Sequence, residues 1–358
     1  MKRVLLASTM AVAIAGAATV VGLSAIAAPA PSITVSVPER ADNFQLTDQT
    51  RLSHELHYFK DAKAIVLMSQ INGSAASRAN AAQLEKLQTA YKANGVLFYM
   101  LNSKDSRDAA ATEAKAQGYD IPILLDELQL VGESLGVQKE GEIFVVDPKN
   151  GFKIAYHGPL AETGAALDAV VAGKPVANAR VEVKSGANIA FPARAKAAEF
   201  KNIKYSGEIT KILQDKCVTC HQKGGIAPFA MDSYDVVKTM APMIRESVRA
   251  ERMPPYFADP HIGKFQNDQA LTAAQTKTLI HWIEAGAPRG TGEDFLKTQA
   301  GEAPEWPAYL GKPDVVVDLP AFDVPAAGIV EYKNQKVDNP FTADTWLRAI
   351  SIKPGDRT

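Results

Sequence analysis

Both cysteines of this 358-residue chain fall in one pentapeptide, Cys217-Val218-Thr219-Cys220-His221. A disulfide-stapled scaffold needs several pairs spread along the chain, so that class is excluded and the fold must rest on packed apolar cores. At roughly 100–200 residues per domain, the length predicts about two domains with room for a third part. A hydrophobic content of 46% against 22% charged residues is enough to build those cores. The net charge of −1, with no long run of Lys and Arg, leaves no field for holding nucleic acid or anionic lipid.

Two thiols three positions apart on a helical turn can add to the two vinyl groups of haem, and an adjoining histidine then comes up beneath the iron. Cys217 and Cys220 are therefore expected to hold one covalent haem c, with His221 as an axial ligand. Two other readings stay open. A structural zinc site needs four ligands, and no second cysteine pair is present. A redox dithiol should follow a strand, whereas this pair follows a predicted helix and precedes His221 and a Gly-Gly pair.

A second axial ligand should be a soft sulfur or another imidazole, which leaves Met231, Met240, Met243, Met253, His261 and His281. Met240 and Met243 share a predicted helix with Val237 and Ile244, where packing is the default. His281 stands beside Trp282 on a later helix and reads as a surface or packing residue. Met253 lies at a helix exit in Arg252-Met253-Pro254-Pro255, where two prolines stiffen the loop, so Met253 is expected to ligate the iron. Methionine ligation raises the reduction potential and suits electron transfer.

At the amino terminus, Lys2 and Arg3 precede an apolar stretch over 4–23, and Ala25-Ile26-Ala27 fits a cleavage site. Residues 1–27 are expected to be a signal peptide. The mature chain would then be periplasmic or otherwise exported, with no membrane span after cleavage. An uncleaved anchor is the rival, because the stretch approaches spanning length.

From 43 to 160, apolar runs alternate with helical patterns. Strands are predicted at 64–68, 96–101, 121–125 and 142–146, helices at 80–94 and 107–117, and a hairpin return over 152–157. That order implies a central sheet covered on both faces. Residues 161–200 read as a polar linker and 201–297 as mostly helical. Ser206 is the expected cap of a helix over 208–216, and Asp232 or Ser233 of one reaching 252. Thr272 and Gln275 have capping-box spacing for a third, which Gly286 closes. The proline-rich tail, 301–358, is expected to be β-rich, with short strands at Val315-Val316-Val317 and Ile329-Val330-Glu331-Tyr332.

The segment containing Cys217-Val218-Thr219-Cys220-His221, the Met253-Pro254 loop and a final helix with Leu279, Trp282 and Gly286 resembles a small monohaem cytochrome c domain. The resemblance implies thioether roles for Cys217 and Cys220, a proximal role for His221 and a distal one for Met253. The earlier domain resembles the peroxiredoxin/thioredoxin-like redoxins through Phe44-Gln45-Leu46-Thr47-Asp48, the 64–68 strand, Pro122-Ile123-Leu124-Leu125-Asp126 and Ile143-Phe144-Val145-Val146-Asp147. Where those proteins place a reactive cysteine this chain has Ser74 or Ser77, and Glu140-Gly141-Glu142 replaces their cis-proline. A serine hydroxyl has no accessible thiolate chemistry, so the domain is expected to be non-catalytic, a docking or scaffolding element.

Trp306-Pro307-Ala308-Tyr309-Leu310-Gly311-Lys312-Pro313-Asp314 and Trp346-Leu347-Arg348-Ala349-Ile350 resemble the first strands of copper type II, ascorbate-dependent-type monooxygenase domains. No His follows His281 and no Met follows Met253, so the copper ligands of such a domain lie outside this chain. The expected architecture is thus multidomain: an α/β thioredoxin-like domain, an all-α cytochrome c-like domain and a β-rich tail. The expected function is one-electron transfer with redox proteins as partners, a copper monooxygenase among them. The alternatives are an electron-delivery fragment of such a monooxygenase, a haem peroxidase-like enzyme using Arg245, Arg249 or Arg252, and a thiol-disulfide redox enzyme.

Overall fold

A five-stranded sheet forms the centre of the first half of the chain. The computed structural model describes residues 35–299, 306, 308–325 and 328–352; the expected export segment and residues 353–358 lie outside them. A hairpin of β1 (Gln45–Thr47) and β2 (Ser53–Glu55) comes first. β3 (Ala64–Ser69), β4 (Val96–Asn102), β5 (Ile123–Leu125), β6 (Glu142–Asp147) and β7 (Lys153–Pro159) then assemble in the order β5-β4-β3-β6-β7. The β3–β4 and β4–β5 pairs are parallel, whereas β6 and β7 are antiparallel to their neighbours. Every residue of β3 is buried, as expected of a central strand covered on both faces.

Alternation along β3 sends its side chains into two cores. Ala64, Val66 and Met68 pack with Ala81 and Leu84 of α1 (Ala75–Tyr91), with Ala110 and Ala114 of α2 (Arg107–Gln117), and with Tyr156. Ile65 and Leu67 pack on the other face with Phe44, Leu56, Phe144, and Val131 and Leu135 of α3 (Leu130–Leu135). Helix α1 begins five residues before the predicted 80, because the Ser74 side chain caps it by accepting the Ser77 N–H.

The structure corrects the linker. Residues 163–171 form α4 (Thr163–Val171), whose Ala166, Leu167 and Val170 complete the first core. Beyond it, Ile189 and Phe191 enter the second core, and Arg180 and Asn188 bridge to His157 and Lys139. An Ala- and Gly-rich stretch thus belongs to the α/β domain, since small residues allow close approach to the sheet. Two single-turn helices, α5 (Pro192–Ala195) and α6 (Ala197–Phe200), follow.

The next segment is helical. A π-type turn (Tyr205–Ile209), α7 (Thr210–Leu213) and a second π-type turn (Gln214–Val218) carry the chain to the cysteines. Ser206 does not cap by its side chain as expected; the entry residue is Lys204. Helix α8 (Tyr234–Arg249) starts after Ser233, but the cap comes from far along the chain: the Tyr234 N–H donates to Asp294 Oδ2 at 2.6 Å. Helix α9 (Ala273–Glu284) has the predicted Thr272/Gln275 capping box, and α10 (Phe295–Gln299) follows. Tyr205, Ile209, Leu213, Val237, Ile244, Val248, Leu279 and Trp282 form a third core. Leu130 of α3 inserts into it, and the described residues from Val35 onward belong to one unit.

The β-rich tail is not observed. Among the described residues of 306–352 there is one short turn, α11 (Ala308–Leu310), and no strand. Val316, Tyr332 and Trp346 are exposed. A β-prone run gains its ladder hydrogen bonds only from a neighbouring strand, and none of these runs has one. No helix among the described residues is long and apolar enough to cross a membrane.

Candidate functional site

Cys217 and Cys220 are unpaired thiols on the turn that ends the second π-type segment. The N–H groups of both Cys220 and His221 donate to the Cys217 carbonyl, at 3.1 and 2.9 Å, which keeps all three residues on one tight turn. Gly225 closes the following loop: a Cβ there would collide with the Cys220 carbonyl, so only glycine permits this return. Cys217 also packs against the third core, and burial, with Cys220 beside it, pushes its thiol up to about 12.

The imidazole of His221 is buried, and its Nδ1–H donates to the Phe229 carbonyl at 3.0 Å, with the Phe229 ring tilted against it. That bond fixes the tautomer and leaves the Nε2 lone pair as the ring's donor atom. The Met231 N–H in turn donates to the His221 carbonyl at 2.7 Å, tying the ends of the loop together.

Met253 sits beyond α8 and is 39% exposed. The same loops leave Ile226, Phe257, Ile262 and Phe265 exposed, at 81%, 75%, 47% and 53%. The other candidate ligands are engaged elsewhere. Met231 is buried in the third core, His261 Nε2 pairs with Glu127 at 2.9 Å, and His281 stacks on Phe200 at 4.0 Å. Met243, predicted to pack, is instead exposed on α8, whereas Met240 does pack. Among the described residues no three His, Cys, Asp or Glu side chains converge as ligands for a bare metal ion.

The three arginines considered for peroxidase-type chemistry face the α/β domain. Arg245 pairs with Asp42 and Glu284, each at 2.7 Å. Arg249 donates to the Leu130 carbonyl and Ser134 Oγ, and Arg252 to Glu55 and Glu246. Each thus has at least one partner in the α/β domain.

In the α/β domain, Ser74 and Ser77 occupy the start of α1. Ser77 Oγ donates to Glu140 Oε2 at 2.6 Å and accepts the Ile71 N–H at 3.0 Å. Burial acts to raise the Glu140 carboxyl, but hydrogen bonds from Ser74, Ser77 and the Ala187 N–H outweigh it and hold the group below its usual range. Sequence alone marks Glu140 only as standing in place of proline; its partnership with Ser77 spans 63 positions and carries no local signal.

Comparison with known proteins bears on this domain. Residues 37–156 match the AhpC/TSA family. Among solved structures, the chain is similar to the hypothetical protein SMc02350 from Sinorhizobium meliloti 1021, at 26% identity over 44% of this chain and 94% of that one, with a TM-score of 0.39. It is also similar to peroxidoxin BcpB from Mycobacterium tuberculosis, at 18% identity over 39% and 98%, with a TM-score of 0.34. A third likeness is the thioredoxin domain of thiol-disulfide oxidoreductase BVU-2223 from Bacteroides vulgatus, at 20% identity over 35% and 89%, with a TM-score of 0.31. No match is found among curated proteins. Residues 37–156 form a redoxin, thioredoxin-like α/β domain, and further helices follow it.

Proposed function

We propose that the chain is an exported one-electron carrier holding a single haem c on Cys217 and Cys220, with the redoxin domain serving as a non-catalytic scaffold. The observation that carries this reading is the His221 ring, buried on the same turn as two free thiols. Its Nδ1 is committed to the Phe229 carbonyl, so Nε2 is the atom left to donate. The donor set fits haem c: Cys217 and Cys220 would hold it, each thiol S–H adding across a vinyl C=C with no oxidant required, and His221 would supply an iron ligand.

Haem, when bound, supplies an iron that cycles between ferric and ferrous states. The chain's own residues do the rest. The Phe229 carbonyl holds the His221 ring in one orientation and the Met231 N–H ties its backbone, so little reorganisation would accompany a change of charge. Met253, set between Arg252 and two prolines, is the soft sulfur that would serve as a second ligand. Ile226, Phe257, Ile262 and Phe265 supply apolar surface that a porphyrin edge would cover. The Lys2–Arg3 segment with its apolar stretch would provide the export that haem attachment requires. Partners would be other one-electron redox proteins, a copper monooxygenase on a separate chain among them.

A second reading is favoured by the same two free thiols: a dithiol that cycles with a disulfide alongside the redoxin domain. That domain holds no cysteine of its own, and the buried Cys217 thiol is a poor nucleophile. A pyridine haemochrome spectrum of the chain exported in a host competent for cytochrome c maturation decides between them. A c-type spectrum at one haem per chain is expected. Haem-free protein beside a maturing control cytochrome would overturn the haem reading and leave the dithiol.

A further inference from the structure

The segment bearing Met253 is tied to the redoxin domain on both sides of that residue. On the near side, Arg252 donates to Glu55 of β2 at 3.0 Å and Gln45 of β1 donates to Glu251 at 3.3 Å. Glu251 sits at φ 51, the left-handed conformation that ends α8 and turns the chain toward the loop. On the far side, Arg107 at the start of α2 holds Asp259 through two bonds, Nη1 to Oδ2 at 2.7 Å and Nη2 to Oδ1 at 2.9 Å. Glu127 reinforces this grip, accepting from the Arg107 N–H and pairing with His261. Farther on, Lys216 Nζ donates to the Asp268 carbonyl at 2.9 Å, beside Cys217 itself.

These contacts differ in strength. Arg252 is nearly half exposed, and such a pair contributes little. Arg107 is only 11% exposed and two-pronged against its carboxylate, the geometry that makes charge-assisted bonds strong. The stretch from Met253 to Asp259, rich in proline and aromatic residues, packs no apolar residue into any of the three cores. Its backbone is anchored to α8 where the Arg252 and Met253 N–H groups donate to the Ser247 carbonyl, at 2.8 and 3.2 Å, and beyond that anchor the loop is held by redoxin-domain side chains.

We propose that the redoxin domain works as a clamp on the distal loop of the haem segment. Arg107 is its principal positioning residue, holding Asp259 and through it the approach of Met253. The proposal rests on the haem reading for its redox consequence, but the clamp itself is a property of the chain. It gives the thiol-free redoxin domain a task that needs no cysteine: it limits how far the methionine sulfur can move when the iron changes charge, and so sets the reduction potential.

The test uses the full-length haem-loaded chain, comparing wild type with Arg107→Gln and with Asp259→Asn, which removes the same pair from the loop side. Lys149→Gln, which breaks a surface pair with Asp61, is the control. Backbone hydrogen exchange over 253–269 should accelerate about tenfold in either variant and stay unchanged in the control. Haem content should stay at one per chain, while the methionine-to-ferric-iron charge-transfer band weakens and the reduction potential falls. Unchanged exchange and an unchanged potential in both variants would overturn the clamp. If wild type carries no haem, the haem reading fails and the exchange measurement still decides the clamp.

Discussion

Ser77 Oγ lies 2.6 Å from Glu140 Oε2, and both residues are about 96% buried, each with 4% of its surface exposed. The Ser77 hydroxyl at the start of α1 is committed as a donor to this carboxylate. The pair forms a buried polar joint between α1 and the loop before β6.

Ser77→Ala removes that donor and leaves the buried Glu140 carboxylate one hydrogen bond short. The expected cost is about 1–3 kcal/mol of folding free energy, measured by urea unfolding. The pH dependence carries a further signature. Glu140 is held below its usual value near 4.5, so it stabilises the fold above that value and the contribution is lost as pH falls below it. The variant should show a shallower loss of stability on acidification. An unchanged midpoint and an unchanged pH profile would show that the pair contributes nothing.

The Cys217 thiol, pushed to about 12 by burial and by Cys220, holds very little thiolate at pH 8. In haem-free protein its alkylation should run on the order of a thousandfold slower than that of an ordinary thiol with a value near 8.5. Mass spectrometry of iodoacetamide-treated protein over time reads this directly. Labelling of Cys217 as fast as free glutathione would contradict the buried environment and strengthen the dithiol reading.

Arg107 holds the Asp259 carboxyl down to about 2. A carboxylate with a depressed value stabilises its contact above the ordinary 3.8, and the contribution is lost as pH falls from there toward 2. Proteolysis within 253–269 by an acid-active protease should therefore accelerate across that window before the redoxin domain unfolds. In Arg107→Gln the acceleration should be absent, because the loop is already released.

Leu130 belongs to α3 of the redoxin domain but inserts into the core that contains Trp282 and Leu279. Leu130→Ala should cost about 2–5 kcal/mol, as removal of a core leucine does. The loss should appear in the Trp282 emission transition ahead of the far-ultraviolet dichroism transition of the sheet. Two transitions that remain superimposed, with no shift, would mean that the two cores are not coupled through this side chain.

What the sequence determined by itself is what short-range chemistry writes into neighbouring residues. The apolar runs of β3, β4 and β6, the span of α2, the Thr272/Gln275 capping box and the turn that groups Cys217, Cys220 and His221 are each fixed within a few positions of the chain. Tertiary structure decided what depends on distant partners. Helix α4 stands in a stretch too small and mixed to announce itself, because its apolar face matters only once a sheet lies beneath it. The cap of α8 comes from Asp294, 60 positions away, and Ser77 meets Glu140 across 63. Arg107 grips Asp259 across 152 positions, so a buried arginine and a loop aspartate form the tie between the α/β domain and the helices that follow it. The tail shows the converse: its valines favour strands, but a strand exists only where another chain segment offers its hydrogen bonds.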